Sequence, residues 1–367
     1  MEGRIKSLII DREALSDPLV SRIRERLPDA EATVVDRVGH CQMLGAGPPG
    51  SLVLMRRRGA FVKDFPVTCD SPPCGEKYIV TMLNCPHRCT YCYLQSYLSH
   101  ERLVIFTDTD RMREEVAGTI ADEAPRRMTT GEMGDSLALD ELTGTTLELL
   151  PLFAGTGTLL EVRTKSAHVD HLLERPAGAP QPRPRDSGDP AEGGGTASQR
   201  PAGAEDLVVT WTLGPHEMVE REEPGTASLA GRLSAMHRTI GAGVKVGVRF
   251  DPIVPFYADP AAYDELIAGM KHAADGGAIH RFELGVLRFP PGLLEKMRTR
   301  HPASPLLRGE YVRDTEGKLR LYRPARVALY RKIARLIRSH FPDAVIELSM
   351  ESGSVWEDAG IGRSFSC

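Results

Sequence analysis

The sequence predicts an α/β protein: a partial (β/α)6 TIM-type barrel preceded by a small N-terminal β-α-β extension. Three observations carry this. From residue 77 onward short β-branched runs alternate with longer amphipathic segments, the pattern of βα units wrapped around a parallel sheet. A three-cysteine segment follows the first of these strands, where barrel chemistry belongs, since such sites sit at the carboxyl ends of the strands. Residues 7–36 read as strand, helix, strand before the alternation begins. The 367 residues suffice for a barrel of about 250 residues and a small extra unit.

In chain order, Ser7-Leu-Ile-Ile10 is a short apolar run, Leu19 to Leu27 has helical periodicity and Ala32-Thr-Val-Val-Asp36 is a second strand. Ser51-Leu-Val-Leu-Met55 adds another ahead of Arg56-Arg57-Arg58. Cys69 and Cys74 then flank Pro72-Pro73 in the loop leading to the barrel. The domain boundaries follow: 1–75 for the extension and lead-in loop, 76–357 for the barrel, 358–367 for a tail. Barrel strands are expected at 77–83, 126–130, 158–164, 207–213, 245–250 and 281–287. Helices are expected at 94–100, 109–122, 139–152, 167–174, 226–241, 260–274 and 324–340. Residues 175–205, crowded with Pro, Gly and Ala, lack the large apolar side chains that would offset ordering entropy, so a disordered insertion is expected there.

Composition narrows the class. Hydrophobic content of 41% and charged content of 26% are those of a globular protein. With no 18-residue apolar run and no secretory leader, the expectation is a soluble cytoplasmic protein. Seven cysteines, three of them clustered, suit a reducing compartment better than a disulfide framework. A net charge of −4 gives no global signature of nucleic-acid binding, leaving local patches: Arg56-Arg57-Arg58, Arg126-Arg127 and the run from Arg298 to Arg308.

The chemistry is concentrated in Cys85-Pro-His-Arg-Cys89-Thr-Tyr-Cys92-Tyr93-Leu-Gln95, directly after the apolar Tyr78 to Leu83. Cys thiolates are the usual ligands of iron-sulfur clusters, and a [4Fe-4S] cube needs four, so three cysteines leave one iron open. The competing reading is a Cys3His zinc site completed by His87 or His100. The C-x3-C-x2-C loop resembles that of the radical S-adenosylmethionine (SAM) enzymes. The resemblance implies that SAM chelates the open iron and is cleaved to a 5'-deoxyadenosyl radical that abstracts a substrate hydrogen, electrons coming from an external donor of flavodoxin or ferredoxin type.

Residues at the strand ends then become candidates. Thr130-Gly131-Glu132 ends the second strand, where Gly131 permits close backbone approach and Glu132 can pair with the SAM ammonium. Asp135 and Ser136 are placed to cap the next helix, and Ser136 is also a candidate SAM contact. Lys165, ending the third strand, can pair with the SAM carboxylate. Arg249 lies on the fifth strand, where a charge on a buried strand must find a partner, Asp251 or a ligand. Tyr91 is expected to pack near the cofactor, whereas Tyr93 is a candidate for passing a hydrogen atom.

Beyond the superfamily, Cys89-Thr-Tyr-Cys-Tyr-Leu-Gln95 is similar to the cluster loop of the spore photoproduct lyases. So are Ile9 to Leu15, Leu160-Glu-Val-Arg-Thr-Lys165, Glu223-Pro-Gly-Thr-Ala-Ser228, Ala242 to Gly247 and Phe250-Asp-Pro-Ile253. The resemblance implies cluster ligands at Cys85, Cys89 and Cys92, Lys165 near SAM, and Tyr91 and Tyr93 as the family's paired tyrosines. It also implies a hydrogen-donating cysteine at the end of the second barrel strand, where this chain has Glu132. Cys69 or Cys74 would then have to serve as donor, or the product radical must meet another fate. The implied substrate is a pyrimidine photoproduct in DNA. The missing cysteine leaves open a small nucleoside or sugar, as in natural-product tailoring. A reading of another class is a non-catalytic zinc and nucleic-acid-binding module.

Overall fold

The computed structural model describes residues 5–39, 50–65, 75–173 and 204–362. Its first eight strands are β1 (Ser7–Asp11), β2 (Glu31–Val35), β3 (Ser51–Met55), β4 (Val62–Asp64), β5 (Glu76–Ile79), β6 (Met82–Leu83), β7 (Leu103–Phe106) and β8 (Arg127–Thr129). The others are β9 (Leu159–Thr164), β10 (Leu207–Thr212), β11 (Lys245–Ile253), β12 (Arg281–Val286), β13 (Arg288–Phe289), β14 (Tyr311–Arg313), β15 (Leu319–Leu321) and β16 (Ile346–Leu348).

Eight of these form the curled sheet of a partial barrel, in the order β16-β12-β11-β10-β9-β8-β5-β4. Every neighbouring pair from β5 to β16 is parallel. Only β4 runs antiparallel, against β5. All six expected strands lie side by side. Two further strands, β4 and β16, extend the edges and do not pair with each other, so the barrel is open. The two were missed because three-residue runs carry too little periodicity to read.

Burial explains the strand composition. All six residues of β10, Leu-Val-Val-Thr-Trp-Thr, are buried. Strands covered on both faces become continuous apolar runs rather than alternating ones. The helices Leu229–Gly241, Pro260–Ala274 and Arg323–His340 contribute Met236, Ile267, Met270, Ile333 and Ile337 to the same core. Ser228 caps the first of these, its hydroxyl accepting from Gly231 N at 3.1 Å. The helix expected over 139–152 is instead three pieces, Asp140–Thr143, Thr145–Leu149 and a 3-10 turn Leu150–Leu152. It breaks where Gly144 takes φ +68°.

The second sheet has the order β2-β1-β3-β7-β6, with β2, β1, β3 and β7 parallel. Its core is Leu8, Ile10, Leu19, Ile23, Leu52, Leu54 and Ile105, which meets Leu139 and Leu142 of the barrel unit. Strands β6 and β7 come from beyond residue 76, so this sheet draws on both sides of the boundary at 75. The strand expected over 77–83 is accordingly divided: β5 stays in the barrel and β6 turns away to pair antiparallel with β7. A small antiparallel lobe, β13-β15-β14, follows β12.

The basic runs have structural occupations. Arg56 binds Asp17, and the Arg57 guanidinium lies 4.8 Å from the Phe106 ring centroid. Arg127 is only 2% exposed and points into the barrel, so Arg126-Arg127 is not the surface patch that its sequence suggests. The last helix, Gly353–Ala359, crosses the boundary drawn at 357. The expected insertion, apart from residues 204 and 205, lies outside the described residues. Among the described residues no helix is long and apolar enough to cross a membrane.

Candidate active site at the cysteine loop

The loop after β6 brings Cys85, Cys89 and Cys92 to the wall of one cavity of about 960 Å3. None forms a disulfide. The loop is closed locally. Asn84, at φ +69°, donates its side-chain amide to His100 O at 2.9 Å, and Gln95 Nε2 donates to Thr90 O at 2.9 Å and Cys89 O at 3.2 Å. Burial pushes all three thiols up, and for Cys89 and Cys92 it outweighs the opposing charge of Lys165. Among the described residues no three His, Cys, Asp or Glu side chains converge on a single-ion site. Tetrahedral zinc would require sulfurs about 3.8 Å apart, whereas a cluster spreads its ligands over separate irons.

His87 is not loop surface. Its Nδ1 lies 2.8 Å from Gly225 O and its Nε2 3.4 Å from Asp135 Oδ2. Asp135 is a buried junction: it accepts from Leu137 N and Ala138 N at the following turn, from Thr164 Oγ1 at 2.7 Å and from Lys165 N at 2.6 Å. Burial opposes its ionisation, but His87 and these donors outweigh it and hold the carboxyl at about 2.

Glu132, the candidate for the SAM ammonium, is bound here to Arg163 Nη1 at 2.6 Å. Ser136 sits close by, its hydroxyl 2.8 Å from Thr130 Oγ1 and accepting from Arg163 N at 2.9 Å, so it ties strand ends together. Gly131 makes that closeness possible: a Cβ there would lie 2.5 Å from Arg163 Cβ. The half-buried Lys165 ammonium lies 5.7 Å from the Tyr91 ring centroid and has no salt-bridge partner among the described residues. An ammonium without a salt-bridge partner, over a ring of the cysteine loop, suits an anionic ligand group.

The Tyr93 hydroxyl donates to the Glu132 carbonyl, and that of Tyr91 donates to Glu223. Arg249 takes its in-chain option, binding Asp251 Oδ2 at 2.7 Å and Glu283 Oε1 at 3.0 Å. Asp251 is bridged on its other side by Arg288 Nη1 at 2.9 Å. Cys69 and Cys74 lie outside the described residues.

Below the mouth the barrel interior is ionic. Arg163 Nε meets Glu161 at 3.0 Å, Arg281 meets Glu347 at 2.7 Å and Glu283 at 3.2 Å, and Arg127 meets Glu76 and, at 3.3 Å, Glu347. Buried guanidinium and carboxylate groups are retained where opposite charges meet them in this way. Sequence reading overlooked Glu222, placed Asp135 only as a helix cap, which it is, and named Glu223 only within a family-like segment. The signal available for Glu223 was its place in Glu-Pro-Gly, a charged residue at a turn with no surface helix to serve.

A partial parallel barrel with a C-x3-C-x2-C loop beyond its first strand has the architecture of the radical SAM enzymes. The chain is similar to the spore photoproduct lyases. It is 26% identical over 314 residues to the spore photoproduct lyase of Geobacillus sp. (strain Y412MC61), covering 82% of this chain and 84% of that protein. It is 23% identical over 357 residues to that of Bacillus subtilis (strain 168), covering 92% and 96%. A solved spore photoproduct lyase complexed with dinucleoside spore photoproduct superimposes with a TM-score of 0.76 at 22% identity, covering 94% of this chain and 99% of that one. A variant of a spore photoproduct lyase with bound AdoMet and the same dinucleoside gives 0.75 at 22%, covering 93% and 98%. No protein-family model matches the chain.

Proposed function

We propose that the protein is a radical SAM enzyme acting on a pyrimidine photoproduct in DNA, in the manner of the spore photoproduct lyases. The observation that carries the reading is the set of three thiols on one cavity wall, with the Lys165 ammonium, which has no salt-bridge partner among the described residues, over the ring of Tyr91 in the same loop. Cys85, Cys89 and Cys92 would hold a [4Fe-4S] cluster, which supplies reductive cleavage of SAM to a 5'-deoxyadenosyl radical. Lys165 would take the SAM carboxylate, and Tyr91 packs beneath it. Glu132 would reach the SAM ammonium by giving up part of its contact with Arg163, while Ser136 and Arg249 shape the mouth by holding its strand ends. Tyr93, whose phenol ends at residue 132, is the candidate hydrogen donor where the family resemblance implies a cysteine. An external flavodoxin- or ferredoxin-type protein would supply electrons, and Cys69 and Cys74 are further donor candidates.

A second reading, tailoring of a small nucleoside or sugar, is favoured by one observation. Glu132, paired with Arg163, stands at the strand end where the family resemblance implies a cysteine. A carboxylate can accept a proton from a radical but cannot return a hydrogen atom.

The test is anaerobic. Iron and sulfide are reconstituted, SAM, dithionite and a spore-photoproduct dinucleotide are added, and 5'-deoxyadenosine and thymine dinucleotide are followed by mass spectrometry. Both products are expected, and Cys89→Ala should abolish them. Deoxyadenosine without thymine release would favour the second reading; deoxyadenosine persisting in Cys89→Ala would overturn the mechanism.

A further inference from the structure

Beyond β10, the short helix His216–Glu222 ends in Glu222-Glu223-Pro224-Gly225, which runs alongside the cysteine loop. Pro224 O accepts from Arg88 N and Glu222 O from Thr90 N, both at 2.9 Å, and Gly225 O lies 2.8 Å from His87 Nδ1. Side chains repeat the tie. The Thr90 hydroxyl donates to Glu222 and the Tyr91 hydroxyl to Glu223. Glu222 also accepts from Tyr257 Oη and Ser304 Oγ, each at 3.0 Å.

Glu223 differs from its neighbour in carrying a full ion pair. Arg232 Nη2 stands 2.5 Å from Glu223 Oε2, with both side chains completely buried. Arg232 is itself held by Thr212 O at 2.9 Å and Ala227 O at 3.0 Å. Apolar residues of similar volume hold a fold together at least as well as a buried ion pair, so stability alone does not account for these charges. The Glu223 carboxylate is thereby fixed against Tyr91, two residues along the loop from Cys89.

We infer that Glu223 is a positioning residue for the cluster: anchored by Arg232, it fixes the cysteine loop through Tyr91 and sets a negative charge beside the Cys89 ligand, lowering the cluster's reduction potential. The inference rests on the reading of the cysteines as cluster ligands. Reduction adds an electron to the cluster, so a fixed anion nearby opposes it, and more strongly where water is excluded. Removing the anion leaves Arg232 and Lys165 to favour the reduced form.

The experiment compares reconstituted wild type, Glu223→Gln and Tyr91→Phe by redox titration followed by electron paramagnetic resonance, and by the rate of iron release to a chelator. Glu223→Gln should raise the midpoint potential. Tyr91→Phe, which keeps the buried ion pair, should release iron roughly tenfold faster or more, the worth of a hydrogen bond to a charged group. If Glu223→Gln fails to fold, the Tyr91→Phe release rate decides. Wild-type potential in Glu223→Gln, or wild-type iron release in Tyr91→Phe, overturns the inference. If the wild type itself takes up no [4Fe-4S] cluster, the underlying reading fails instead.

Discussion

The Tyr93 hydroxyl donates its hydrogen bond to the main-chain carbonyl of Glu132, joining the cysteine loop to the end of the second barrel strand. A phenol from the loop thus ends at the residue where the family resemblance implies a thiol. Tyr93→Phe should leave SAM cleavage near the wild-type rate while thymine release falls by more than tenfold. Quantifying 5'-deoxyadenosine and thymine dinucleotide in one reaction separates the two steps. Equal loss of both would assign Tyr93 to cofactor binding alone.

Arg163 serves Glu132 at the mouth and Glu161 in the interior at once. Arg163→Met leaves Glu132 without its guanidinium and takes one partner from Glu161, which keeps Arg281 and Thr210. A loss of about 3–5 kcal/mol is expected from breaking a buried pair in this way, measurable by urea denaturation of the cluster-free protein.

Gly131 lies where strand ends approach too closely for a side chain. Gly131→Ala pushes directly against Arg163 Cβ, which has no freedom to swing aside. A cost of about 1–3 kcal/mol is expected, with weaker SAM binding because Glu132 is displaced. Calorimetric unfolding and equilibrium dialysis with SAM test the two parts; unchanged stability would mean that the strand ends yield readily.

Glu347 gives the interior a pH signature. Burial opposes its charge, but Arg281, Arg127 and Arg126 prevail and hold its carboxyl at about 2, against 4.5 ordinarily. A depressed folded-state value means that the contribution is present above the unfolded value and is lost as pH falls from the one to the other. That contribution is on the order of 3 kcal/mol. Unfolding free energy should therefore decline between about pH 5 and pH 2, and Glu347→Gln should flatten the decline while lowering stability near neutrality. A parallel decline in the variant would assign the acid sensitivity to other groups, Asp135 among them.

The barrel was legible because its central strands are long enough to show their character: β9 through β12 have apolar or β-branched runs that admit little else. The two edge strands and the three-stranded lobe were not, since short strands take their structure from pairing partners that a sequence does not display. Arg126-Arg127 illustrates the same limit in charge. An adjacent basic pair reads as surface, yet Arg127 is buried because Glu76, Glu161 and Glu347 arrive from three other strands. The cysteine loop was recognisable from its own spacing. The wider roles of Asp135, beyond its helix cap, and of Glu223 were not, because what distinguishes them is burial beside partners brought in by the fold.

The barrel's free edges, β4 and β16, have a consequence for what sets their separation. Across the bore, Glu347 on β16 reaches Arg126 and Arg127 at β8, while Arg281 holds it from the neighbouring β12. Lacing of this kind can lengthen or shorten by rotamer changes while every strand keeps its backbone partners, unlike a hydrogen-bonded seam, which must break to move. The separation of the two edges is therefore set by side-chain contacts rather than by a backbone ladder.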